Sequence, residues 1–217
     1  MKKIIRLILI SVLVLAACNL NESNVEPEIN VTEKTARLLE AENDFGFELF
    51  QRIYTAETDH ENIMLSPLSV SLALAMTYNG AKGETKTAME KTLKVYGLTP
   101  DDINKSYFDL VNALKSLDPK VLLEIANAIF YRNDFAVETN FVNTNRQYYN
   151  AEISALDFAS PQAVNTVNGW VAEKTHDKIK TILDRITPQQ VMFLLNAIYF
   201  KGTWTKEFNI KSTELQP

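Results

Sequence analysis

The sequence predicts an α+β fold in which helices pack against one large sheet, and three observations predict it. One is a repeated helix-start chemistry, a hydroxyl residue followed by proline, at Ser66-Pro67, Thr99-Pro100, Ser160-Pro161 and Thr187-Pro188. The hydroxyl caps free amides, and proline sits where no amide donor is missed. Another is a pair of nearly continuous apolar runs, Val121 to Tyr131 and Val191 to Phe200, the pattern of strands covered on both faces. The third is order: strand, helix, strand, helix, strand, which calls for crossover connections within one sheet.

Taken in chain order, the amino terminus reads as an export leader. Lys2, Lys3 and Arg6 precede an apolar run from Leu7 to Leu15, broken only by Ser11, with small residues after it. The run is too short to remain as a span across a roughly 30 Å hydrocarbon core. Leu15-Ala16-Ala17-Cys18 resembles the bacterial lipobox, in which the peptide is cut before the cysteine and that cysteine is acylated. Cys18 is the chain's single cysteine, so no intrachain disulfide forms, and acyl chains there would anchor the protein without a span. The expected organisation is a signal peptide at 1–17, a polar tether at 18–32 and a folded unit at 33–217. The expected location is the bacterial envelope, possible exposure at the cell surface included.

Charge narrows the partners. The chain carries 22 basic and 27 acidic residues, and loss of the three leader cations leaves 19 against 27, a net charge of −8. An acidic domain without a basic stripe argues against nucleic acid and against electrostatic docking to anionic lipid. Asn19 to Thr32 is polar and acidic and reads as a flexible spacer.

The folded unit opens with a helix from Glu33 to about Tyr54, with Leu49, Phe50, Ile53 and Tyr54 at helical spacing. A short strand is expected at Asn62 to Leu65. The helix from Pro67 to Asn79 is apolar on almost every side, as a central buried helix is, and Gly80 is expected to end it in the left-handed region. After Thr99, Asp101 and Asp102 suit the positive end of a helix dipole, and Ile103, Tyr107, Leu110, Val111, Leu114 and Leu117 form one stripe. Helices near Phe141 to Asn150 and Ala163 to Ile179, and a shorter strand ending near Leu156 to Phe158, complete the alternation. Asn127-Ala128-Ile129-Phe130-Tyr131 and Asn196-Ala197-Ile198-Tyr199-Phe200 share a pattern that signals similar burial in one sheet.

Catalytic chemistry finds little support. Ser66 lacks a Gly-x-Ser-x-Gly turn, and His60 and His176 are the only histidines available as bases. Two histidines without a spare cysteine make a poor zinc site, and the scattered glycines form no phosphate loop. No cofactor and no metal are expected.

Three segments carry a family resemblance. Asn62 to Val70 running through Gly80 to Thr85 resembles the serpin strand 6B with helices B and C. Val167-Asn168-Gly169-Trp170-Val171 with Thr175 resembles helix F. Asn196-Ala197-Ile198-Tyr199-Phe200-Lys201-Gly202-Thr203-Trp204 resembles strand 3A and its exit. The resemblance implies helices A–F with part of the large sheet A, and a complete protein that traps a target serine or cysteine protease. An exposed loop is cut, the protease is held as an acyl-enzyme, and the loop inserts beside strand 3A. It also implies shutter roles for Ser66, Ser69 and Asn196, and a breach role for Trp204, which a plain core aromatic would equally explain. Ser66 reads as a helix cap on its own residues. The sequence ends soon after Trp204, so the hinge, the reactive loop, the scissile bond and a shutter histidine are expected to lie outside it. Val191 to Phe200 would then be an apolar edge strand. The alternative is a serpin-fold binding lipoprotein that inhibits nothing.

Overall fold

The computed structural model describes residues 31–58, 62–204, 206–207 and 209–212. The leader, Cys18, His60 and all but the last two tether residues lie outside the described residues.

Helix α1 (Glu33–Ala56) starts where Thr32 caps it, the threonine hydroxyl accepting from the Thr35 amide at 3.1 Å. Its buried face is Leu38, Ala41 and Phe45. The stripe expected at its end is not core. Phe50 and Tyr54 stay 45% and 50% exposed and stack on each other at 6.3 Å, because nothing among the described residues covers the helix's last two turns. Asn62 to Leu65 forms no strand: among the described residues it has no ladder partner, and Met64 is fully exposed.

Helix α2 (Pro67–Tyr78) buries Ser71, Leu72, Ala75, Met76 and Tyr78 while Val70 remains exposed, so one side of this apolar helix is uncovered. Gly80 does not end it in the left-handed region. Asn79 closes the helix at φ −62°, and a Cβ on Gly80 would lie 3.1 Å from the Phe141 ring, so the glycine makes room for an aromatic side chain. A left-handed glycine follows at Gly83, at φ +56°, opening the surface helix α3 (Gly83–Thr92). Helix α4 (Pro100–Ser116) begins with a full capping box, Thr99 and Asp102 each satisfying the other's backbone amide.

The sheet has three strands in the order β2-β1-β3. Strand β1 (Val121–Arg132) runs parallel to β2 (Glu152–Leu156), joined through helix α5 (Thr139–Tyr149), as the crossover pattern requires. It runs antiparallel to β3 (Met192–Gly202), from Tyr131 opposite Met192 to Val121 opposite Gly202. Helix α6 (Pro161–Lys174) stops earlier than Ile179, because His176 and Asp177 turn left-handed at φ +48° and +60°. Thr187-Pro188 opens a turn, not a helix. Gln190 closes it by accepting from the Thr187 amide and hydroxyl, and the chain enters β3 at once.

Alternation along β1 divides the core into two layers. Ile125 and Ile129 face α1, α2, α4 and α5 with Leu72, Met76, Ile103 and Tyr107. Ala128 and Phe130 face α6, meeting Val167, Trp170 and Val171. Each large apolar side chain so enclosed contributes about 1.5–3 kcal/mol. Strand β1 is thus covered on both faces as expected. Strand β3 also packs on both, Leu194 and Ile198 against the first layer and Phe193 and Leu195 against the second, although Ala197 alone is buried in it and Phe200 at its end is 67% exposed.

Candidate functional site

The candidate site is the β1–β3 ladder with the helix laid over it. Asn127 and Asn196 are direct cross-strand partners, and the Asn196 amide donates to Asn127 Oδ1 at 2.8 Å. Asn127 is buried and donates in turn to the Tyr149 carbonyl at 2.8 Å, tying β1 to the end of α5. The Tyr149 hydroxyl donates to Asn104 at 2.7 Å, and Asn104 exchanges hydrogen bonds with Asn79 at 2.9 and 3.0 Å. Asn145 accepts from Asn79 at 3.3 Å and donates to the Phe141 carbonyl at 3.0 Å. A polar chain therefore runs from the middle of β3 into the helical layer. It ends at the sheet on an open valence: Asn196 Oδ1 is buried and, among the described residues, has no hydrogen-bond partner. Buried acceptors are rarely left so, and this one is suited to a donor arriving beside β3.

Ser66 and Ser69 hydrogen-bond to each other at 3.1 Å through their hydroxyls, and Ser66 caps the Ser69 amide. Helix α2 packs on β3, but neither serine hydrogen-bonds to Asn196. The cap role of Ser66 is as its residues predict. Trp204 lies just past the end of β3 and is 69% exposed, so it is no core aromatic here. Of the four residues singled out by resemblance, the structure joins the two serines, places Asn196 in the ladder and leaves Trp204 at the rim.

Helix α6 is held across all three strands. Trp170 Nε1 donates to Glu152 on β2 at 3.1 Å, and its ring meets Phe130 of β1 edge-on at 6.2 Å. Past the helix end, His176 Nε2 lies 2.5 Å from Glu124 of β1 and its ring 4.2 Å from that of Tyr199 on β3. Glu124 and Tyr199 are themselves ladder partners. Asn168 anchors the returning loop, its carbonyl accepting from the Ile182 and Leu183 amides at 2.9 and 3.0 Å. Thr175 accepts from the Ile179 amide and donates to the Val171 carbonyl. His176 is therefore a sheet clasp beyond the helix end, where the sequence predicted that the helix runs on to Ile179.

Among the described residues no catalytic set emerges. Glu48 carries a carboxyl held down to about 2 by hydrogen bonds from Lys94 and Arg52, an exposed structural pair. Asp102 is lowered by the Thr99 amide, which its cap role explains. Among the described residues no cluster of three histidine, cysteine, aspartate or glutamate side chains could hold a metal ion. No described helix is long and apolar enough to cross a membrane.

Comparison with known proteins settles what the ladder belongs to. The family model for Serpin (serine protease inhibitor) matches residues 40–217. The chain belongs to the serpin family. Bovine Serpin B6 is 36% identical over 186 residues, which are 83% of this chain and 49% of that protein. The thermophilic serpin tengpin, in its latent state, matches with a TM-score of 0.74 and 36% identity over 84% of this chain and 48% of its own. Reactive-loop-cleaved human thyroxine binding globulin matches with a TM-score of 0.75 and 28% identity, over 83% and 54%. The serpin chain thus spans about half the length of the relatives it matches. The six α-helices and partial mixed sheet of the described residues are those of an incomplete α+β serpin fold.

Proposed function

We propose that this chain is the front portion of a serpin that traps a serine or cysteine protease by inserting its cleaved loop beside β3. One observation carries the reading. The family model that matches residues 40–217 is that of serine protease inhibitors, and β3, which pairs with β1 among the described residues, is the strand that the resemblance sets beside the inserted loop. An unpaired strand edge is a template for another strand. In this reading Asn196 is the shutter residue that the arriving strand completes, with Ser66 and Ser69 at the helix end behind it, and Trp204 stands at the breach where the loop enters. The protease chemistry is the protease's own, so the serpin supplies no catalytic residue. The test mixes the full-length protein, without its leader, with a panel of serine and cysteine proteases at equal concentration. Trapping predicts loss of protease activity together with a covalent, detergent-resistant complex.

A second reading, a binding lipoprotein without inhibition, is favoured by the likeness to a protein named for binding thyroxine. It predicts that the loop is cut while the protease stays active. In both readings Cys18 carries the lipid and the tether holds the domain off a bacterial envelope membrane. Metabolic labelling with a palmitate analogue tests this part: label lost in Cys18→Ala supports it, and an unlabelled wild-type protein refutes it.

A further inference from the structure

Glu42 is a titratable group that the trapping reading does not use. It projects from α1 into the junction with α2 and α4. Its Oε2 accepts from the Ser71 hydroxyl of α2 at 2.6 Å, and its Oε1 accepts from the Tyr107 hydroxyl of α4 at 2.5 Å. Both donors are fully enclosed. Above the carboxyl opens a groove of about 730 Å³ walled by Leu39, Phe47, Phe50, Met64, Leu68 and Leu110, in which Glu42 is the one ionisable lining group among the described residues. No lysine, arginine or histidine among the described residues pairs with it. The groups that face it are Ser71 from α2, Tyr107 from α4 and, behind Tyr107 at 6.1 Å between rings, Tyr149 from α5.

The hydrogen bonds admit a proton without stranding any donor. With Glu42 ionised, both hydroxyls donate to it. With Glu42 protonated, its own hydroxyl can donate to Ser71 Oγ, because Ser71 has a second acceptor, the Leu68 carbonyl, at 3.1 Å. Tyr107 keeps donating to the other oxygen. Glu42 is half-buried with no cation beside it, which disfavours its charged form, and here the neutral form has a complete set of partners.

We propose that Glu42 is a proton switch at the α1–α2–α4 junction, holding a proton more tightly when the junction is assembled than when it opens to water. Burial raises the carboxyl above its ordinary value of 4.5, outweighing the two hydrogen bonds that favour the charged form. A raised acid binds its proton more tightly folded than unfolded. Its contribution to stability is therefore greatest below the unfolded value and declines as pH rises through the folded one. Acidification tightens this junction, opposite to the trend of paired surface carboxylates.

The experiment follows carboxyl titration by infrared spectroscopy in full-length protein labelled with carbon-13 at glutamate, from about pH 3, roughly one unit below the ordinary glutamate value, to about pH 9. Expected is one protonated-carboxyl band that persists above the pH at which the other glutamates ionise. It should vanish in Glu42→Gln and in urea, and titrate at still higher pH in Tyr107→Phe, where a donor favouring the charged form is gone. Tyr107→Phe keeps the test decisive if Glu42→Gln does not fold. A folded wild-type protein whose glutamates all ionise together overturns the proposal, as does a high-pH band that survives Glu42→Gln or does not move in Tyr107→Phe.

Discussion

Replacing Asn127 by alanine should destabilise the full-length protein far more than replacing its partner Asn196. Asn127→Ala strands two groups at once. The Tyr149 carbonyl loses its side-chain donor at 2.8 Å, and the Asn196 amide loses its acceptor at 2.8 Å. A buried polar group left unpaired costs about 1–3 kcal/mol. Tyr149 is buried whereas Asn196 is half-buried, so the two together come to about 2–4 kcal/mol. Asn196→Ala removes one donor from Asn127 and also removes the unpartnered Asn196 Oδ1, so its cost should stay near or below about 1 kcal/mol. Urea unfolding followed by tryptophan fluorescence measures both, with equal slopes confirming that stability alone has changed. Equal losses for the two variants, or a loss below about 1 kcal/mol for Asn127→Ala, would refute the polar chain as drawn.

Three further outcomes follow from the packing and the charge pairs. Gly80→Ala should destabilise by about 1–3 kcal/mol, because its methyl would lie 3.1 Å from Phe141; calorimetry showing no loss would mean the ring moves aside freely. Trp170→Phe removes the donor to Glu152 but keeps the edge-on contact with Phe130, and should cost about 1 kcal/mol, whereas Trp170→Ala should cost about 3–5 kcal/mol, both read from urea midpoints. Glu48 is lowered to about 2 from an ordinary 4.5 by hydrogen bonds from Lys94 and Arg52. A depressed acid stabilises above the unfolded value and loses that contribution as pH falls through the folded one. The difference between wild type and Glu48→Gln should therefore be full at neutral pH and shrink between pH 4.5 and about 2, and added salt should weaken it throughout.

Much of this fold is legible in local chemistry. Thr99-Pro100-Asp101-Asp102 predicts a helix start because every group needed to cap it lies within four residues, and the structure closes that box. The apolar runs of β1 and β3 and the helices between them likewise follow from pattern and order. What sequence missed depends on partners distant along the chain. Asn62 to Leu65 has strand composition but no neighbouring strand among the described residues. Thr187-Pro188 has a helix start's residues but only two more before the segment that enters β3. Phe50 and Tyr54 keep helical spacing on a part of α1 that the described residues do not cover. At the site, Asn196 was found by resemblance, but Asn127, Asn104 and Asn145 were not. Single asparagines at wide spacing carry no local signal, and only the fold brings them into one hydrogen-bonded line. Glu42 escaped for the same reason, since its hydroxyl partners lie 29 and 65 residues away.

The central claim is that β3 offers an edge which a strand of the same protein later fills. The most direct measurement is the thermal midpoint of the full-length protein before and after a protease cuts its exposed loop. Insertion beside β3 adds a strand and satisfies Asn196 Oδ1, so the account predicts that the cut protein melts at a clearly higher temperature than the intact one. A cut protein that melts at the same or a lower temperature would contradict it.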